Sequence, residues 1–321
     1  MAETLLAVVL ALALVPLGLV LATSLAYSRG WWRLLRPLGR AAPFLMGPEY
    51  GGMMAFQNEI CALRELGRLE EAVALAKRRL REPSLPAQNR NTAIDLLISA
   101  GAYEAALAAE PPSRMPARAQ EAMGLALAQV NLAEAEYNLG RWDAAEARLR
   151  PLDLGCWLFP ISRAGLLQQR AWIAAHRGHG AKAAELCAQA RVTWFPRMYR
   201  AEYHFTRAAA FLAAGRCDDA DRALADAERV AIRLSSRRNL LFLRARVAAA
   251  RGDWPKAEAL CREAAGHAFR GQGGGGLMLW AEALERLGRP ADAAEALRLV
   301  TERDPESESA REAAARLTVR A

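Results

Sequence analysis

The chain has 321 residues, of which 53% are hydrophobic and only 7% aromatic, and it carries a net charge of +8. That is enough apolar material for two average domains or one elongated array, and it excludes a chain that stays disordered along its length. The basic balance does not extend to a nucleic-acid partner. Lysine occurs only at Lys77, Lys182 and Lys256, and most arginines alternate with acids as in EEAVALAKRRLRE, a pattern of solvated helix faces rather than of a basic recognition element.

Residues 4–26, TLLAVVLALALVPLGLVLATSLA, carry no charge. At about 1.5 Å per residue they make roughly 34 Å of helix, enough to cross a bilayer, and a helix in lipid tolerates residues such as Pro16 and Gly18. The following YSRGWWRLLRPLGR sets Tyr27, Trp31 and Trp32 at the expected membrane interface, with Arg29, Arg33, Arg36 and Arg40 beside them. Residues 1–28 are thus expected to be a single transmembrane anchor in an inner (cytoplasmic) membrane, the positive flank holding the carboxyl-terminal bulk in the cytoplasm. A cleaved signal peptide competes, since Ser24 and Ala26 suit a cleavage site. Against it stand Glu3, an amino terminus without Lys or Arg, and a run longer than the usual core of about 7–15 residues. Residues 29–52 then form a basic and aromatic juxtamembrane segment, expected to be broken up by Pro37 and Pro43.

Beyond residue 52 a rhythm takes over. Glycines recur at Gly67, Gly101, Gly140, Gly178, Gly215, Gly252 and Gly288, between 34 and 39 residues apart. Five residues after each stands an alanine: Ala72, Ala106, Ala145, Ala183, Ala220, Ala257 and Ala293. Two after each stand Leu69, Tyr103, Trp142, Gly180, Cys217, Trp254 and Pro290. Each period predicts a helical hairpin. An apolar-periodic helix such as AEYHFTRAAAFLAA ends at a glycine able to adopt the left-handed conformation, and a second helix such as CDDADRALADAERVAI opens with acids in its first turn. The alanine is small where the two helices cross, and each hairpin leaves an apolar face that only the next one can cover.

Gly140, Trp142 and Ala145, and again Gly252, Trp254 and Ala257, resemble the glycine, aromatic and alanine of the tetratricopeptide repeat (TPR). Leu149, Cys187, Leu224, Cys261 and Leu297 match its large second-helix position, Ala190, Ala227 and Ala264 the small one that follows, and Pro305 closes the last unit. The resemblance covers about residues 53–305. It implies an all-α, right-handed superhelical solenoid of about seven antiparallel hairpins, of the membrane-anchored bacterial type, with residues 306–321 as a capping helix. The first-helix tryptophan, leucine and glycine of the family are mostly missing, and Pro111 and Pro112 cut the second unit short.

Motifs for chemistry are sparse. GQGGGG at 271–276 satisfies a phosphate-loop spacing but follows a helix instead of a strand, and reads as a flexible connection. His176 and His179 lie at a helix end and a turn with no cysteine near them, and His204 and His267 stand alone. Cys61, Cys156, Cys187, Cys217 and Cys261 never form C-x-x-C and read as reduced thiols, three of them at repeat positions of small core residues. No metal, no cofactor and no catalytic set is expected, nor a small-molecule substrate; the chain reads as a non-enzymatic scaffold that recruits protein or peptide partners at the inner membrane, the alternatives being an exported envelope assembly factor after signal cleavage and a membrane enzyme with an unrecognised site. DLGCWLFPISR at 153–163 and VTWFPRMYR at 192–200 lengthen two links with aromatics and prolines, as packing or as an apolar partner patch.

Alignment on the glycine gives the residues that the resemblance implies for a concave groove. They are Gln57, Arg64, Asn91, Asp95, Glu134, Tyr137, Asn138, Gln168, Trp172, Phe205, Asn239, Phe242, Arg246, Glu282 and Glu285. Their mixture of amides, aromatics and charges suits an extended or helical peptide. The clamp by which some TPR proteins hold a terminal carboxylate is not matched, because Gln57 and Cys61 stand in place of its first lysine and asparagine.

Overall fold

A computed structural model of the chain describes residues 2–83, 85–110, 119–152, 160–190, 197–230, 234–266 and 274–320. Among them lie seventeen helices and no strand. α1 (Ala2–Arg29) and α2 (Trp32–Met46) precede seven hairpins. The first helices of these are α3 (Pro48–Glu65), α5 (Ala87–Ser99), α7 (Ala119–Asn138), α9 (Pro160–His176), α11 (Arg197–Ala213), α13 (Leu234–Ala250) and α15 (Gly274–Arg286). Their partners are α4 (Leu69–Leu80), α6 (Tyr103–Ala108), α8 (Trp142–Leu149), α10 (Gly180–Gln189), α12 (Cys217–Glu228), α14 (Trp254–Gly266) and α16 (Pro290–Arg303), with α17 (Glu308–Arg320) last.

Local backbone chemistry dictates this arrangement. All seven repeat glycines have φ between +71° and +78°. The residue after each sends its N–H five residues back, as from Arg216 to the Phe211 carbonyl at 2.8 Å, which satisfies a carbonyl orphaned at the helix end. The second helix starts two residues past the glycine in every unit. The seven alanines are all 0% exposed. Their N–H groups make the first bonds of the second helices, Ala220 to Arg216 at 3.1 Å and Ala293 to Arg289 at 3.1 Å among them. Arg68–Glu71, Arg216–Asp219 and Arg289–Asp292 repeat one ion pair across the start of the second helix. These pairs are exposed and contribute little.

Consecutive hairpins share their cores. Phe205, Ala208 and Ala209 of α11 lie in one buried cluster with Ala171 of α9 and Leu240 and Leu243 of α13. Gly180 begins α10 where other units place an aromatic, because the end of α11 packs there: a Cβ on Gly180 would lie 2.4 Å from the Ala214 nitrogen.

Two expectations change. The juxtamembrane segment is not broken at its prolines, since α2 runs through Pro37 and Pro43. Each proline removes a helical N–H. Offsetting packing comes from α3, which approaches so closely that a Cβ on Gly51 would sit 2.2 Å from the Ala42 carbonyl oxygen. The glycine run is not wholly a connection either, for Gly274, Gly275 and Gly276 form the first turn of α15, while 271–273 lie outside the described residues. Pro111, Pro112, Cys156, His267, residues 153–159 and residues 191–196 also lie outside them.

Among the described residues no helix is long and apolar enough to cross a membrane. Within the expected span, residues 2–28 are helical as part of α1, and the side chains before Leu14 lie outside the described residues.

The two glycine types separate in a melting experiment. Gly215→Ala adds a methyl into open space and suffers only the left-handed backbone, about 1 kcal/mol. Gly180→Ala has to part α10 from α11. Circular dichroism melts are expected to show at least twice the loss of Tm for Gly180→Ala, and equal losses would refute the close approach.

Candidate functional site

The first helices of the hairpins turn a polar face inward, and neighbouring units are joined across it. Arg64 on α3 donates to Asp95 on α5 at 3.0 Å. Asn131 on α7 donates to Asn91 on α5 at 2.9 Å. Gln169 on α9 donates to Glu134 on α7 at 2.9 Å, and Ser236 on α13 donates to Glu202 on α11 at 3.3 Å. This is a ladder in which one rung joins each pair of consecutive first helices except α9 to α11 and α13 to α15. Buried polar groups are costly when unpaired, so the rungs hold the hairpins in one register.

The ladder then closes. Tyr103, fully buried at the start of α6, donates its hydroxyl to Asp304 after α16, and the Gly274 N–H bonds the same carboxylate. The Glu104 N–H donates to Glu306 at 2.9 Å, Trp142 Nε1 donates to Glu308 at 3.2 Å, and the Arg311 guanidinium donates to the Leu139 carbonyl. The carboxyl-terminal turn and α17 therefore return to the second and third hairpins, joining residues up to 202 apart in sequence. These contacts tie the carboxyl-terminal end of the array to its second and third hairpins. At this seam lies a cavity of about 560 Å³, lined among others by Trp142, Asp143, His176, Arg177, Glu308 and Glu312.

Burial sets the electrostatics of the interior. Burial, followed by the Asp95 carboxylate, pushes Glu134 up to about 7. Burial and then Glu134 push Tyr137 well above its usual range. His176 is lowered to about 4 by burial and by Arg246, and Arg238 is lowered to about 10 by burial. Burial alone would lower Arg64, yet Asp95 and Glu65 hold it above its ordinary value. Burial pushes Cys187 and Cys261 up to about 12, which keeps both thiols inert near neutral pH.

An aromatic run crosses the third and fourth hairpins. The rings of Tyr137 and Trp142 stack at 5.6 Å, Trp142 lies 6.2 Å from His176, and Trp172 lies 4.4 Å from His176. His176 contacts the Trp172 carbonyl through Nδ1 at 3.0 Å, which places that proton on Nδ1 and leaves Nε2 an acceptor. Nearby, Arg246 is lowered by burial and forms no hydrogen bond or ion pair among the described residues.

The fifteen sequence-derived groove residues fall into distinct environments. Arg64, Asn91, Asp95 and Glu134 are rungs of the ladder. Asn138 donates to the Glu134 carbonyl at 2.8 Å. Glu285 is bound to Arg316 on α17 at 2.7 Å, and Glu282 sits 3.8 Å from Arg286. Phe205 and Phe242 are 2% and 8% exposed and belong to the cores between units. Gln57, Gln168 and Asn239 are half-buried, with Gln168 Nε2 unsatisfied. Trp172 and Arg246 both lie beside His176, and Tyr137 reaches it through Trp142. Sequence reasoning missed Tyr103, Glu202, Arg238 and Asp304. No local signal marks them, since each acts through a partner from a distant unit.

Helices paired through glycine reversals and stacked into one array define a helical-repeat protein. Residues 275–317, from α15 into α17, match the model of the family described as Tetratricopeptide repeat. No curated protein matches the chain.

Glu134 supplies a pH test. Its pKa rises from 4.5 to about 7 on folding, so the folded state binds the proton more tightly. The stability this contributes is present below about pH 4.5 and is lost as pH rises through 7. Glu134→Gln keeps the acceptor for Gln169 and removes the charge. Its melting temperature is expected to exceed the parent's by roughly 2–5 °C at pH 8 and to converge with it near pH 4.5, allowing for partial solvation of the site. His176 works in the opposite direction but is common to both proteins. A constant difference across pH would overturn the assignment.

Proposed function

We propose that this protein is a membrane-tethered TPR scaffold that holds a protein or peptide partner against the inner wall of its array and organises it at the inner membrane. No reaction is assigned to it. The observation that carries the reading is Arg246, a partly buried cation without a partner, on the inner wall with Trp172 and His176. A buried guanidinium without an anion is costly, and a carboxylate from a bound segment would relieve that cost while aromatic edges supply apolar contact. The match of residues 275–317 to a repeat family known for protein interactions points the same way.

Tethering is supported by the surface of α1. Leu14, Val15, Leu17, Leu21 and Leu25 are all more than 40% exposed, and only Leu19, Thr23 and Ala26 are covered. A helix so apolar on its outward side matches lipid better than water. The arginines that follow support a cytoplasmic position for the array. Confinement raises the effective concentration of a captured partner near other membrane components, so modest affinity suffices.

A photo-crosslinking residue at position 172 of the full chain is expected to give a discrete adduct in cells. Arg246→Ala is expected to reduce that adduct at least tenfold with an unchanged melt. An adduct that persists unchanged would refute the inner-wall site. Reporter fusions at the carboxyl terminus test the tether separately: a signal from a reporter active only in the cytoplasm, with α1 uncleaved, is the expected outcome, and an external signal would reverse the orientation.

A further inference from the structure

The α2–α3 pair runs back alongside α1 instead of leading away from it. Gly30, at φ +70°, and a bond from the Trp31 N–H to the Ala26 carbonyl at 2.8 Å reverse the chain after α1. Ala26, Leu35 and Ala62 bury one another at the base of the three helices. Farther up α1, Thr23 Oγ1 lies 3.9 Å from Met54 Sδ. Met54 belongs to the half of α3 nearest the α2–α3 turn, so that turn is carried toward the apolar stretch of α1 and away from its Arg29 end.

The tip so placed is apolar and uncovered. Phe44 is 89% exposed, Tyr50 54% and Leu45 42%. The sequence AAPFLMGPEYGGMMAFQN, residues 41–58, has a single charge at Glu49. The outward face of α2 carries exposed Leu34, Arg33 and Arg40. Arg36 is engaged with Glu59 at 2.7 Å, whereas Arg29, Arg33 and Arg40 form no ion pair or hydrogen bond among the described residues. An apolar tip with unpaired cations behind it has the chemistry of an element that dips into a bilayer below anionic headgroups.

We infer that the α2–α3 tip is a second, non-spanning membrane insertion beside α1, taking a bilayer as its partner with Arg29, Arg33 and Arg40 on anionic headgroups. This rests on the tethering proposed above. The hairpin would then fix the tilt and height of the array over the membrane, which a single helix leaves free to swivel.

Spin labels test it in the full chain. Cys187 and Cys261 are buried and unreactive, so Cys61, Cys156 and Cys217 become serine, and one cysteine is introduced by Phe44→Cys, by Leu45→Cys or, as an equally exposed control, by Val319→Cys, since Val319 is also 89% exposed. The labelled chains are reconstituted in vesicles of phosphatidylethanolamine with phosphatidylglycerol, or of phosphatidylcholine alone. The expected result is flotation of all three, with oxygen-to-nickel-chelate accessibility ratios at least threefold higher at 44 and 45 than at 319. Arg33→Gln with Arg40→Gln is expected to lower the ratio in anionic vesicles to the phosphatidylcholine value. Flotation with aqueous ratios at 44 and 45 would overturn the insertion and leave the tether standing, whereas failure to float would remove both. Spin–spin broadening at 44 would mean that a second copy covers the tip, and would also overturn the insertion.

Discussion

Reversing a helix within three residues leaves carbonyls at the end of the first helix and N–H groups at the start of the second without partners, and the whole array depends on how that cost is met. Glycine in the left-handed conformation lets the next N–H reach back five residues, so the turn satisfies itself without a long loop. The turn in turn fixes which residue of the second helix faces the first. That residue is the alanine five past the glycine, and it has no exposed surface in any unit. A larger side chain there would push the helices apart and uncover the faces on which the next hairpin packs. Local backbone geometry thus sets the crossing distance, and the crossing distance sets the stacking of repeats.

Once the hairpins stack, their inner faces are brought together and the polar groups there must find one another. Arg64–Asp95, Asn91–Asn131, Glu134–Gln169 and Glu202–Ser236 do so between units. Such bonds are directional and short, so they select one register where apolar contacts between alanines and leucines would accept several. Burial of such groups carries a penalty, visible in the raised Glu134. Polar specificity inside the array and perturbed ionisation there have one cause.

The parts of this architecture that are legible in the sequence are those in which a residue acts within its own unit. The glycine, the alanine and the helix start between them follow from dihedral preference and size, and the structure places all three as the spacing predicts. The seam is illegible for the opposite reason. Tyr103 looks like the repeat's aromatic and Asp304 like an acid near a helix end; only the curvature accumulated over the intervening hairpins makes them partners. The inner-wall residues lie between these limits. Alignment names Asp95 and Glu134 without showing that a neighbour has already engaged them, and it counts Phe205 and Phe242 as wall when they are core. Pro37 and Pro43 mislead because propensity is local, whereas the glycine-lined contact of α2 with α3 that sustains the helix is tertiary.

Closure and tethering bear on one another. A solenoid open at both ends can admit a partner along its length, but here the contacts of α17 with the α6 and α8 turns bridge the two ends of the inner wall. Apart from the buried Tyr103–Asp304 bond, those contacts are polar and partly exposed, in contrast to the apolar cores within the array. Exposed polar contacts exchange with water at little net cost, so the seam is the boundary at which the array opens most readily. The cavity beside Trp142 and His176 lies on that boundary, next to the aromatic run that leads toward Trp172. A partner segment entering there would exchange weak seam contacts for the unpaired Arg246 and the aromatic edge. An array held at a fixed tilt by α1 and the α2–α3 hairpin would then present that entrance in one direction relative to the membrane.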